Sequence, residues 1–305
     1  MGSNLQDKLG AKRFVLTAEV TPPVSADRNE LLGKALPLKG LADAVNITDG
    51  AGARPHLGAI TAAAMLVEAG IEPVLQLTCR DRNRIALQSD LISAAASGVR
   101  NLLMLRGDDP SAGDQPDAKP VFDLDPRSLL ETARRLRDTG ELPSGRKVTG
   151  RADFFLGSAD NPVDPKPGWA PTGLKAKIDA GAQFVQTQFC MDSGVVRRYL
   201  ARLDEAGIAG EIKFLIGIVP LRSAKSARWI KKKLFGAIIP DALIERMERA
   251  KDPAAEGRQI CIDMVRELSA IPHVDGVHIM APGNDSAVPD IIKAAREQIA
   301  RPVVA

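Results

Sequence analysis

Aromatic residues are scarce in this chain: 4% of 305 residues, with a single tyrosine. Rings therefore cannot supply most of the interior, and a core must rest on Leu, Ile, Val and Ala. Cysteine is scarcer still. Cys79, Cys190 and Cys261 have no Cys-x-x-Cys spacing, which argues against a disulfide framework and suits the reduced thiols of a cytoplasmic protein. His56, His273 and His278 are the only histidines, so neither a structural zinc nor an iron–sulfur cluster is expected, and no metal site is assigned. No apolar run is long enough to cross a bilayer, and the polar opening Met1-Gly2-Ser3-Asn4 lacks a signal-peptide core; no membrane partner is expected. A net charge of +3 is too small to imply nucleic acid. The densest basic run, Lys231-Lys232-Lys233, has no repeated aromatic platform beside it and reads as a solvated helix face or an anion-attracting rim. Also missing are a Gly-x-Gly-x-x-Gly turn after a strand, a Gly-x-Ser-x-Gly elbow and a Gly-Lys-Ser/Thr phosphate loop.

What is present is a repeating cycle: a short β-branched or Leu-rich run, a Gly/Pro/Asp turn, then a longer Ala-rich helix. The runs predict strands over 14–20, 43–48, 73–78, 101–106, 151–156, 183–188, 212–218 and 274–280. Between them, helices are predicted over 28–38, 55–69, 83–97, 126–139, 171–180, 192–206, 241–250 with 257–270, and 288–299. Eight such units in this length predict an α/β protein, a (β/α)8 TIM barrel formed as a single domain over 1–305, with 1–12 as a flexible N-terminus. Loops 107–125 and 157–170, rich in Gly, Pro and Asp, are the expected binding loops.

Charged and polar residues gather where apolar runs end. Glu19 lies close to the end of the first run, just before Pro22-Pro23, and a carboxyl in an apolar setting tends to keep its proton and can act as a general acid. A structural carboxylate paired with Lys or Arg is the alternative. Arg106-Gly107-Asp108 ends the fourth run: Gly107 would let a ligand ring approach the backbone, and Arg106 would bind phosphate or pair with a carboxylate. A rim salt bridge is the plainer reading of Arg106 and Asp108. Gln188 ends the sixth run and can donate and accept toward an amide-like ring edge. Asn46 and Thr48 share a face at the second strand exit. Lys175 and Lys177 are two positions apart, so at most one reaches a ligand. His278 on the last strand reads more readily as a satisfied core residue than as a catalyst. The set holds an acid but no strong nucleophile, which favours redox chemistry over hydrolysis.

Taken in order, Ala18-Glu19 before Pro22-Pro23, Leu77-Thr78-Cys79, Leu105-Arg106-Gly107-Asp108, Lys177-Ile178-Asp179-Ala180-Gly181-Ala182, Thr187-Gln188-Phe189 and Gly217-Ile218-Val219-Pro220 resemble the methylenetetrahydrofolate reductase family. Cys79-Arg80-Asp81-Arg82-Asn83 resembles a divergent branch of it. The resemblance implies a barrel that reduces 5,10-methylenetetrahydrofolate to 5-methyltetrahydrofolate, with hydride from NADH or NADPH passed through bound flavin. It implies Glu19 as general acid, Asp108 as a carboxylate near both flavin and pterin, and Gln188 as a folate ligand. Glu19 and Asp108 would thus both catalyse and bind substrate. Thr48, Gln76, Arg106, Gly107, Asp108, Phe122, Asn161 and Lys177 fall at cofactor-binding positions. Several of these depart from the family pattern: Gln76 and Asn161 stand near expected histidines, Phe122 and Ser158 near expected tyrosines, and Ala170 and Gly173 near expected Asp and Asn. FAD is the implied cofactor, and the departures leave FMN, or no tightly held flavin, open. Two other functions stay open: a partner-dependent folate- or flavin-binding subunit of a redox or methyl-transfer complex, and a one-carbon folate oxidoreductase with a different electron donor. A homo-oligomer is compatible with each.

Overall fold

The apolar runs form eight strands: β1 (Val15–Val20), β2 (Ala44–Ile47), β3 (Pro73–Thr78), β4 (Asn101–Leu105), β5 (Phe155–Asp160), β6 (Phe184–Phe189), β7 (Lys213–Ile218) and β8 (Val274–Ile279). In the computed structural model, which describes residues 2–300, they pair in chain order, all parallel, and β8 closes on β1. The (β/α)8 barrel predicted from the sequence is the observed fold. Its helices are α1 (Asn4–Gly10), α2 (Arg28–Ala35), α3 (Ala59–Glu68), α4 (Arg84–Ala96), α5 (Pro126–Thr139), α6 (Thr172–Ala180), α7 (Ser193–Glu205), α8 (Ala224–Lys233), α9 (Asp241–Arg249), α10 (Pro253–Ser269) and α11 (Val288–Ala300). Because every strand runs the same way, all eight C-terminal ends open on one mouth, where barrel enzymes carry their chemistry.

Strand periodicity divides the residues into two sets. Leu16, Ala18 and Val20 of β1 join the large apolar layer beneath the helices. Val15, Ala44, Val74, Leu103, Phe155, Phe184 and Leu215 form a second cluster inside the barrel, and Leu5 and Leu9 of α1 complete it. Phe155 stacks on Phe184 with centroids 4.8 Å apart. A Cβ at Gly157 would lie 2.3 Å from the Phe184 ring, so only glycine fits there.

Within the stretch 1–12, expected to be flexible, residues Asn4–Gly10 form α1. Ser3 caps α1, Glu72 accepts from the backbone N–H groups of Asn4 (2.7 Å) and Leu5 (2.8 Å), and Lys8 pairs with Asp43 at 2.5 Å. The helix plugs the barrel opposite the mouth, because its two leucines complete a core that the strands leave open. β5 starts at Phe155 instead of 151: Gly157, Ser158 and Asp160 look like a turn, but β4 and β6 pair with Gly157 and Ser158 on both sides, and β6 pairs with Asp160. Helix α8 falls in an interval where no helix was predicted. Ser223 and Ser226 start it with a reciprocal capping box, and its basic end is partly neutralised, with Lys231 on Asp241 at 2.7 Å and Arg228 on Glu248. Among the described residues, no helix is long and apolar enough to cross a membrane, and no cluster of three His, Cys, Asp or Glu side chains could hold a metal ion.

Candidate active site

Alternation turns Thr17 and Glu19 of β1 into the barrel, above the apolar plug. Polar side chains there must pair with one another, and they do so in a chain across the interior. Asn46 Nδ2 donates to Gln186 Oε1 (2.5 Å), and Gln186 Nε2 donates back to Asn46 Oδ1 (3.0 Å) and to Thr17 Oγ1 (3.3 Å). Thr17 Oγ1 lies 3.0 Å from His278 Nδ1 and 3.3 Å from the Val277 carbonyl, to which it donates. The other ring nitrogen, Nε2, is 3.6 Å from Glu19 Oε2. That same oxygen accepts from Gln76 Nε2 at 3.0 Å. The imidazole can donate to the carboxylate or accept from the acid, according to which nitrogen carries the proton.

Glu19 ends this chain at the mouth with a side chain 19% exposed. It is less enclosed than the apolar run suggested, and its partners are an amide and an imidazole instead of Lys or Arg. His278, at 2% exposure, is both a buried residue and the neighbour of the acid. Thr17 and Gln186 were not singled out in the sequence. Their position two residues before Glu19 and Gln188 is the signal that could have found them. A further carboxylate comes from the loop after β8. Burial raises Asp285 above its ordinary range; Lys34, 3.9 Å away, lowers it, and the charge of Glu19 raises it further.

Asp108 lies on the rim of the same mouth, exposed, with Oδ2 accepting from Gly52 N–H at 2.8 Å. No direct contact joins it to Glu19. Gly107 has φ +91°, and a Cβ there would meet Arg80 Cβ at 2.9 Å and Thr78 Cβ at 3.1 Å. Its bare backbone thus makes room for the protein's own chain. Arg106 forms no salt bridge with Asp108; it stacks over Phe122 at 4.2 Å, and Phe122 itself has φ +44°, an unusual conformation for an aromatic residue. Gln188 sits where the β6–β7 pairing shifts register between Gln186 and Phe189, and its Oε1 accepts from Phe189 N–H at 3.0 Å. Of the two lysines, Lys177 turns toward β5, donating to the Ala159 carbonyl (2.6 Å) and pairing with Asp160 (3.3 Å), while Lys175 pairs with Asp179 on the surface at 2.6 Å. Tyr199 also donates to Asp160, and burial together with that charge pushes its phenol well up.

The positions assigned to a flavin divide into two groups. Thr48 is 4% exposed, and its hydroxyl has no hydrogen-bond partner, which fits a ligand at the second strand exit. Several of the rest are engaged by the protein or lack polar groups. Gln76 holds Glu19, Lys177 holds Asp160, and Arg106 lies on Phe122, which has no hydroxyl. Asn161 packs against Gly236 so closely that a Cβ there would lie 2.7 Å from it. Ala170 and Gly173 offer no polar side chain. Gln76, Lys177, Phe122, Ala170 and Gly173 thus offer little to a flavin dinucleotide. Thiol chemistry has little basis either: burial pushes Cys79 up to about 11 and Cys190 up to about 12.

Comparison with known proteins yields a consistent set. The family model described as "Methylenetetrahydrofolate reductase" matches residues 4–296. The chain is similar to the probable methylenetetrahydrofolate reductase (NADPH) of Caenorhabditis elegans, 29% identical over 237 residues that cover 76% of this chain and 34% of that protein. It spans about a third of that relative, and 82% of the 5,10-methylenetetrahydrofolate reductase of Pectobacterium carotovorum subsp. carotovorum, with which it is 28% identical over 84% of its own length. Among solved structures, an uncharacterized protein from Clostridium thermocellum, described as binding two copies of 5-methyl-5,6,7,8-tetrahydrofolic acid, superposes with a TM-score of 0.65. The superposition covers 97% of this chain and 100% of that one at 15% identity, a likeness of fold.

Proposed function

Because the chain belongs to the methylenetetrahydrofolate reductase family, matched over residues 4–296, we propose that it reduces 5,10-methylenetetrahydrofolate to 5-methyltetrahydrofolate with a hydride from NADH or NADPH. The observation that carries this reading is the partly exposed Glu19 at the barrel mouth, backed by Gln76 and His278, with no activated nucleophile beside it.

The methylene carbon of the substrate bridges N5 and N10 within a five-membered ring, and N10 leaves poorly until it is protonated. Glu19 gives its proton to N10; the C–N10 bond breaks with its electron pair going to N10, and an iminium forms at N5. Hydride from the reduced nicotinamide then adds to the iminium carbon, giving the methyl group and oxidised nicotinamide. Glu19 regains its proton from solvent, with His278 beside it. Asp108 offers a carboxylate to the cationic pterin from the rim, and Gln188 an amide to the pterin edge. Positioned proton transfer of this kind contributes roughly 10²–10⁴-fold, and holding donor and acceptor together adds the proximity term.

The route is written without a flavin because Gln76 and Lys177 are engaged by the protein and Phe122, Ala170 and Gly173 have no polar side chain. The test is an absorption spectrum and extracted mass of the purified protein, followed by methylenetetrahydrofolate with nicotinamide deuterated at C4. Deuterium in the methyl group of the product, with no flavin extracted, is the expected result. A copurifying flavin that bleaches on adding nicotinamide would restore the flavin route. Folate binding without turnover until another protein is added would replace the enzyme by the partner-dependent subunit.

A further inference from the structure

We infer that Gln76 is a positioning residue for the acid, holding Glu19 by Oε2 so that Oε1 is the oxygen that delivers the proton. This rests on the proposed reaction. Gln76 stands at a position that the sequence resemblance assigns to cofactor, yet its amide nitrogen is 3.0 Å from Glu19 Oε2. It is 7% exposed, so it is buried at the level where the barrel interior meets the mouth. His278 Nε2 approaches the same oxygen, at 3.6 Å. Among the described residues, Oε1 of Glu19 takes part in no hydrogen bond. Two groups therefore converge on one carboxyl oxygen and leave the other for substrate.

The geometry needs the length of glutamine. β1 and β3 are not neighbours; β2 lies between them, a separation of roughly two strand spacings, about 9–10 Å, before curvature shortens it. Asparagine, one methylene shorter, falls short. Chemistry narrows the choice further, because the amide N–H can donate to Oε2 whether or not Oε1 carries the proton. A carboxylate at this place would repel Glu19, and leucine would leave it without a polar partner. Holding Glu19 in one rotamer through turnover also removes the freedom that would otherwise dilute productive proton delivery.

The experiment compares wild type, Gln76→Asn and Gln76→Glu with Glu19→Gln, following the pH dependence of single-turnover folate reduction and the crystal structure of each variant. For Gln76→Asn, kcat should fall tenfold or more, with KM for the folate within about threefold. Loss of the N–H that favours the ionised carboxyl should move the pH of half-maximal rate upward by about one unit. Gln76→Glu keeps the length and adds like charge, so it should move that pH at least as far. In both structures Glu19 should leave its single position. An unchanged profile with Glu19 unmoved in both variants overturns the assignment. Glu19→Gln separates the two readings: if it retains folate reduction, the acid role itself fails, whereas its inactivity beside wild-type behaviour of both Gln76 variants removes only this inference.

Discussion

Replacing Leu5 or Leu9 by alanine should unfold this protein far more readily than a change in the first ten residues of a chain usually does. Both side chains are buried, at 0% and 1% exposure, inside the barrel cluster with Val15, Val74, Leu103, Phe184 and Leu215. Strand backbones surround that cluster, so the gap left by a deleted isobutyl group has little freedom to collapse. Leu→Ala at such sites costs about 2–5 kcal/mol, and the rigid barrel wall argues for the upper half of that range. The two leucines lie one helical turn apart and line the same cluster, so the double variant should fall short of the sum. Urea unfolding would measure this as a lower midpoint at constant slope. The proposed reductase activity should persist at a permissive temperature, because α1 closes the end of the barrel away from the mouth. A loss under about 0.5 kcal/mol in both single variants would refute the reasoning and make α1 a loosely docked appendage.

Glu19→Gln, close in volume and able to keep a contact with the Gln76 amide, should lower steady-state folate reduction by roughly 10²–10⁴-fold while the melting temperature changes little. Gln186→Leu should cost about 1–3 kcal/mol in denaturant unfolding, since it strands the buried Asn46 amide and removes a donor to Thr17. Arg84 holds Asp123 down at about 2, through side-chain and backbone hydrogen bonds. The Asp123 carboxylate therefore adds stability that is present above its unfolded value near 3.9 and disappears as pH falls toward 2. Asp123→Asn should be less stable than wild type at pH 7 and equal to it near pH 2, with the difference shrinking in salt. In a thiol-labelling assay, the buried Cys79, Cys190 and Cys261 should react only as fast as the chain opens; rapid labelling of the folded protein would contradict their burial.

The barrel was legible because eight apolar runs recur with helix-length intervals, and most strand limits moved by only a residue or two. It failed at β5, where Gly157 and Asp160 are turn-forming residues by type but are held in the sheet, Gly157 by both neighbouring strands and Asp160 by β6. It failed again at α8, whose charged, Lys-rich sequence lacks the long apolar stripe of its neighbours, and at α1, whose two leucines gain meaning only from a cavity that other strands create. At the candidate site, strand-end position alone singled out Glu19, Asp108 and Gln188. What sequence could not convey was the pairing across the interior: Gln76 reaches Glu19 over an intervening strand, and Gln186 reaches Asn46 across the barrel. Contacts of that kind follow from closure and stagger, and no local pattern encodes them. His278 shows the same limit, since being buried and adjoining the acid are compatible once the ring lies at the top of the interior.

Closure of β8 against β1 joins segments that are more than 250 positions apart, with Thr17 and His278 separated by 261 in the chain. On a ribosome, this seam cannot zip until β8 has emerged. The Glu19 carboxylate therefore waits for the His278 imidazole. Any stalled or clipped product lacking β8 would carry Glu19 without its backing ring, so the proposed acid is complete only once the circle closes.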